Sequence, residues 1–190
     1  VPTDNRPLRD GKGSTYEGGV RVPTIVKWPG VTSPDTVCRE PVITVDYYPT
    51  LLEIAGTGGD PRHNASVDGV SPVPLFEDPR ATLSRDAIYW HYPHYHTCGA
   101  APYGAVRAGD WKLIEFYEDM RVELYNLRDD IRESKNLAGR MPEQTERLHK
   151  MLHQWRETMD AQMPTPNPDY DPTLDDAQGR FRKPAPPHAM

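Results

Sequence analysis

The chain has 190 residues, 36% of them hydrophobic, and its 22 basic against 28 acidic residues leave a formal net charge of −6. That balance carries no basic footprint of a nucleic-acid binder, and no apolar run approaches the roughly 20 residues of a membrane helix. Two cysteines, Cys38 and Cys98, are too few for a disulfide framework. Two free thiols are the expectation, with one bridge as the alternative.

The chain opens Val1-Pro2-Thr3, with neither an initiator Met nor a secretory signal, and this reads as a cut inside a longer protein. Asp4 to Gly19 is rich in Gly and charge without an apolar period, so it reads as a loop. Val20 to Trp28 is β-branched and bounded by Pro29-Gly30, which predicts a strand and a turn. Thr44 or Asp46 caps a short helix through Leu51, Leu52 and Ile54, with Gly56 as its stop. Residues 56–84 read mostly as loop, within which Asn64-Ala65-Ser66 is a glycosylation sequon.

Four strands are predicted next, from Ala87 to His91, Tyr103 to Arg107, Trp111 to Phe116 and Arg121 to Leu127. Apolar residues alternate in Lys112-Leu113-Ile114-Glu115-Phe116 and Val122-Glu123-Leu124-Tyr125, as in an antiparallel sheet with one covered face. The predicted cover is a helix opening at Pro142, with Leu148, Met151, Leu152, Trp155 and Met159 on one stripe. Strands followed by a helix make an α+β unit. The 21 prolines, about twice the average share, concentrate after Met163, so residues 164–190 read as an extended arm.

The densest chemistry lies in Gly11-Lys12-Gly13-Ser14-Thr15-Tyr16-Glu17-Gly18-Gly19-Val20-Arg21-Val22-Pro23. A lysine between two glycines can approach a tetrahedral anion closely, and its compact ammonium suits one. Glu17 and Arg21 would pair and pin the loop, alongside Gly11 and Gly13. A solvated Gly-rich turn with a surface lysine accounts for the same residues, and the spacing is not that of a phosphate-binding P-loop. The second candidate is Trp90-His91-Tyr92-Pro93-His94-Tyr95-His96. It reads as a metal site, as an aromatic and imidazole rim that hydrogen-bonds a sugar or aryl substrate through His91, Tyr92 and His94, or as ordinary loop packing. Pro93 and the lack of a nearby carboxylate weigh against metal, so no residue is assigned as a ligand. His149 and His153, four apart on the predicted helix, read as surface residues without a third partner.

The 11–23 segment followed by Trp28-Pro29-Gly30 resembles the second signature of the formylglycine-dependent (type I) sulfatases, arylsulfatase-like members of the alkaline phosphatase superfamily. The similarity continues through Asp46-Tyr47-Tyr48-Pro49-Thr50-Leu51-Leu52, Asp68-Gly69-Val70-Ser71, Arg107-Ala108-Gly109-Asp110-Trp111-Lys112-Leu113 and Glu123-Leu124-Tyr125-Asn126-Leu127. It implies that residues 1–84 end the α/β catalytic domain, that 85–163 form a small four-stranded antiparallel sheet packed by a helix, and that 164–190 trail as the arm. It also implies a sulfuric ester hydrolase with calcium and formylglycine, a sulfated sugar or aryl sulfate as substrate, and a periplasmic, secreted or lysosomal setting. Lys12 takes the family role of touching the sulfate.

The departures limit this. The nucleophile precursor Cys/Ser-x-Pro-x-Arg is absent, since Cys38 precedes Arg39-Glu40-Pro41 and Cys98 precedes Gly99-Ala100-Ala101. The paired aspartates of the metal site are also missing. Asp4-Asn5 looks like the family's Asp-Asn pair, but Arg6 stands where Gly is expected, and a loop turn is the better reading. The chain alone is therefore expected to be inactive and to need the missing N-terminal segment. The alternatives are a phosphoester or phosphonate hydrolase of the same superfamily, and a carbohydrate-binding remnant without catalysis.

Overall fold

The computed structural model describes residues 4–96 and 100–169. The described residues divide into two compact units, one of residues 4–22 with 87–96 and 100–169 and the other of residues 23–86. Residues 4–22 thus belong with the sheet.

The first unit is built on strands β1 (Ile88–Tyr92), β2 (Tyr103–Ala108), β3 (Trp111–Phe116) and β4 (Val122–Asn126). They pair antiparallel in the order β1-β2-β3-β4. Each lies within a residue of its predicted bounds, because the alternation of apolar side chains fixes which residues can share a buried face. Helix α5 (Pro142–Thr158) starts at the predicted proline. The register sets Arg107 and Tyr125 beside Lys112, and Gly104 and Val122 beside Glu115.

One expectation is corrected here: the sheet has two covered faces. On one, Val106, Ala108, Leu113 and Leu124 pack against Leu148 and Leu152 of α5. Trp155 is only half-buried and stacks on Tyr89, with ring centroids 4.9 Å apart. Met159 lies beyond the end of α5 and is exposed, so it is not part of the stripe. On the other face Tyr103, Ala105, Ile114, Phe116, Tyr125 and Leu127 pack with Tyr16 from the N-terminal segment. A strand sandwiched in this way buries side chains of both faces, and β3 buries two charged ones, Lys112 on one face and Glu115 on the other.

The predicted strand from Val20 to Trp28 does not form. Short helix α1 (Glu17–Val20) ends there, and residues 21–28 have no regular structure. Ile25 is 93% exposed. β-branched residues favour extended backbone only where another strand and an apolar layer receive them, and none does among the described residues.

The second unit carries α2 (Tyr47–Ile54), α3 (Pro61–Asn64) and α4 (Val73–Glu77). Gly56 follows α2 with φ +64°, the expected left-handed stop. Asp46 is fully buried and organises this unit. It accepts from the Ile43 and Val70 amides at 2.8 and 3.0 Å, and from both terminal nitrogens of Arg85 at 2.7 and 2.9 Å. Cys38 is a free, exposed thiol, and Cys98 lies outside the described residues. The sequon Asn64 is engaged internally, accepting from the Tyr48 hydroxyl at 3.1 Å and donating to the Gly58 carbonyl. No helix among the described residues is long and apolar enough to cross a membrane.

Candidate active site

The loop around Lys12 is held by backbone packing and by buried charge. Gly13 has φ +84°, a conformation that a side chain would strain. Gly11 is buried beside it. Gly18 donates its amide to the Arg9 carbonyl at 2.9 Å, and a Cβ on Gly18 would lie 2.3 Å from that oxygen. A Cβ on Gly19 would lie 2.0 Å from the Ser14 carbonyl oxygen. The signature glycines therefore let α1 and the 9–14 backbone touch.

Glu17 is buried and does more than the expected pairing. Its carboxylate accepts from Lys112 Nζ at 2.9 Å, and the same ammonium donates to Glu133 at 2.9 Å. Glu133 closes the circuit by accepting the Glu17 amide at 2.7 Å. Arg21, the partner expected from sequence, stands at 3.9 Å and Arg107 at 3.8 Å, both looser contacts. Lys112, Glu17 and Glu133 are all 2% exposed or less. Burial pushes the Glu133 carboxyl up, and the Lys112 charge offsets this only partly.

Neighbouring contacts extend the clamp. Tyr16 and Tyr125 both donate to Glu123 Oε2, at 2.8 and 2.7 Å. Arg9 lies over the Tyr16 ring, 3.6 Å from its centroid, and donates to the Tyr125 hydroxyl and the Glu133 carbonyl. Burial, with Glu123 adding to it, raises the ionisation of both phenols well above the ordinary tyrosine range. Against this background Lys12 is exposed, and its ammonium makes no hydrogen bond or ion pair among the described residues.

The predicted aromatic rim is split by the pleat of β1, since adjacent strand residues face opposite sides. Tyr92 packs on the same face as Tyr16 and Tyr103, with the His94 and His96 rings 5.6 and 6.1 Å away. His94 is exposed. His91 has Nδ1 2.7 Å from the Tyr117 hydroxyl and Nε2 2.9 Å from the Gln162 carbonyl. With both ring nitrogens engaged inside the fold, His91 ties β1 to the residues after α5. Gly104 makes this possible, because a Cβ there would lie 2.4 Å from the Tyr117 oxygen.

The Asp4-Asn5 pair is consumed locally. Arg6 donates to both Asp4 carboxylate oxygens, and Asn5 donates its amide to the Gly18 carbonyl at 2.7 Å. Asp4 is thus paired with a cation already, and Asn5 is turned toward the Gly18 carbonyl.

Sequence reasoning missed Lys112 and Glu133 as supports of the loop, and Glu115 as the partner of His149 and His153. The signal was present for two of them: Lys112 and Glu115 are charges set inside the apolar alternation of a strand.

Comparison with known proteins supplies the context for this geometry. The sequence pattern of the family described as N-sulphoglucosamine sulphohydrolase, C-terminal, matches residues 10–162. A sulfatase of Formosa agariphila is 41% identical over 150 residues, covering 75% of this chain and 27% of the relative. Arylsulfatase K of Danio rerio is 34% identical over 148 residues, covering 74% and 27%. Among solved structures, Ps i-CgsB in complex with k-i-k-neocarrahexaose superposes with TM-score 0.67 at 28% identity, covering 85% of this chain and 34% of that one. BT4656, solved with its substrate D-glucosamine-2-N,6-O-disulfate, superposes with TM-score 0.60 at 27% identity, covering 70% and 27%. The chain thus spans roughly a quarter to a third of the length of these relatives. With the signature loop, the four-stranded sheet and its helix all in the matched region, the chain belongs to the N-sulphoglucosamine sulphohydrolase C-terminal family of sulfatases.

Proposed function

We propose that this chain is the C-terminal portion of a sulfuric ester hydrolase, arylsulfatase-like, and that Lys12 is its contact with the reacting sulfate. The observation that carries this reading is the contrast within one loop: the backbone from Arg9 to Arg21 is fixed by close glycine packing and the buried Glu17–Lys112–Glu133 circuit, while Lys12 stays exposed and, among the described residues, unpaired. An ammonium held ready in this way stabilises charge growing on the ester oxygen as the alcohol departs, without reorganising at that moment. Tyr92 and His94 are the rim residues that remain available to a sugar or aryl group. His91 is not, because both its ring nitrogens are engaged. BT4656 acts on a sulfated glucosamine, which supports a sulfated sugar as the substrate class here.

In the full-length enzyme the calcium and formylglycine of this family would be held mostly by residues outside this chain: Asp4 is paired with Arg6, and Cys38 is followed by Arg39-Glu40-Pro41, not by the nucleophile pattern. Lys12 and the scaffold of its loop are what the chain supplies. We read residues 1–84 as the end of the α/β catalytic domain, residues 85–163 as the sheet-and-helix subdomain and residues 164–190 as an extended arm.

The test is Lys12→Ala in the full-length enzyme assayed on an aryl sulfate. Loss of one preorganised donor lowers kcat by about 10²–10³, with the melting temperature unchanged because Lys12 is exposed. An unchanged kcat contradicts the assignment. The 190-residue chain alone is expected to give no turnover, and activity that survives repurification overturns that part.

A further inference from the structure

We propose that Glu115, His149 and His153 form a binding site for a divalent transition-metal ion of the zinc class. His149 and His153 are four residues apart on α5, which places their rings one turn apart on the same side. The ring centroids are 4.2 Å apart. Glu115 reaches the same point from β3 below. Its carboxylate is fully buried, and Oε1 faces both imidazoles, 3.0 Å from His153 Nε2 and in close contact with His149 Nε2. One ligand atom from each of the three residues lies within 4.8 Å of the others. Donors around a tetrahedral zinc ion, bound at about 2.0–2.2 Å, sit about 3.3 Å from one another. Small side-chain rotations bring the three into that range.

Two features separate this cluster from a chance pairing of histidines with an acid. First, both imidazoles converge on a single carboxylate oxygen, an arrangement in which one cation can replace two crowded N–H contacts. Second, the other carboxylate oxygen has a charged neighbour behind it. Arg156 Nη1 lies 2.6 Å from Glu115 Oε2, out of hydrogen-bond direction, and the Arg156 guanidinium sits over the Tyr117 ring. Metal-binding carboxylates are commonly oriented by such an outer partner.

On the solvent side the site borders a cleft lined by His153, Arg156, Glu157, Asp160 and Met163. Its two carboxylates, Glu157 and Asp160, favour approach of a cation, while the Arg156 charge opposes it. Two imidazoles and one carboxylate select zinc, copper, nickel or cobalt over calcium and magnesium, which prefer all-oxygen ligands. The site is thus distinct in chemistry from a calcium centre. Bound metal would join α5 to β3 at the C-terminal half of the helix.

The experiment uses the 190-residue chain, stripped with a chelator and titrated with zinc chloride by calorimetry and thermal melting. One ion is expected to bind per chain and to raise the melting temperature, with calcium giving neither effect. His149→Gln and His153→Gln, both partly exposed and expected to fold with unchanged circular dichroism, should each weaken zinc at least about 10-fold. His63→Gln in the other unit should bind normally. Absence of binding in the wild type, an equal response to calcium, or zinc affinity retained in the His149→Gln/His153→Gln double variant overturns the proposal.

Discussion

Replacing Lys112 by Met tests whether the signature loop is held by buried charge. The ammonium is fully buried and lies 2.9 Å from each of two buried carboxylates. Met fills the space but leaves both acids without their shared cation. Glu133 then keeps only the Glu17 amide, and Glu17 only Arg107 and Arg21 near 3.8–3.9 Å. Breaking a buried ion pair by removing one partner costs about 3–5 kcal/mol. For a chain of this size that corresponds to a fall of roughly 6–20 °C in melting temperature. The acids can limit the loss by taking up a proton. Glu133 is already raised by burial, an effect the lost Lys112 charge no longer offsets, so the variant should lose less stability near pH 5 than near pH 8. Adding Glu17→Gln and Glu133→Gln to Lys112→Met should restore most of the stability, since an apolar and amide cluster leaves no charge stranded. Denaturant unfolding followed by near-ultraviolet circular dichroism reads all three quantities. A loss below about 1 kcal/mol for Lys112→Met, well under the range for a broken buried pair, would refute the reasoning. So would a triple variant as unstable as the single one.

Leu152→Ala should cost about 2–5 kcal/mol by urea denaturation, because Leu152 is fully buried between α5 and the sheet. Trp155→Ala should cost less than Leu152→Ala, since Trp155 is half-buried and its main specific contact is the Tyr89 stack. Gly19→Ala should displace the 9–14 backbone, whose Ser14 oxygen stands 2.0 Å from the added Cβ, and in the full-length enzyme lower kcat while leaving α5 and the sheet intact by circular dichroism. Tyr16, Tyr103, Tyr117 and Tyr125 all ionise above the ordinary range in the fold, chiefly through burial. Their contribution is complete below about pH 10 and declines above it by up to ~1.4 kcal/mol per pH unit for each phenol, as the unfolded chain ionises first. Phenolate absorbance in native and urea-unfolded protein, compared between about pH 10 and 12, checks this.

The sheet and α5 were legible because their information is local. Alternation marks the strands, Pro142 marks the helix start, and the 3.6-residue spacing of Leu148 and Leu152 marks its buried stripe. The second covered face was not legible, because its cover is a loop without periodicity, recognised only when Tyr16 and Glu17 are seen against β3 and β4. The Val20 to Trp28 stretch misled for the opposite reason: its composition is that of a strand, but pairing is a property of the partner. The aromatic rim was read as one surface because His91 and Tyr92 are adjacent, although adjacency on a strand sends them to opposite faces. His149 and His153 looked partnerless because Glu115 lies 34 residues from the first of them, a distance across which single-sequence patterns carry nothing. For the loop itself, the sequence identified the glycines and Glu17 but not Lys112 and Glu133, whose role depends on folding three separate segments together.

The most direct test of the proposed role of Lys12 is the dependence of kcat on leaving-group pKa in the full-length enzyme, for wild type and Lys12→Ala, across a series from aryl to alkyl sulfates. If the ammonium stabilises the departing oxygen, its loss should hurt poor leaving groups most, because they develop more charge there, and the variant should give the steeper line. Lys12→Arg should restore only part of the rate, since a planar fork does not replace a compact ammonium between two glycines. Parallel lines for wild type and Lys12→Ala would contradict the account and leave Lys12 as a binding contact alone.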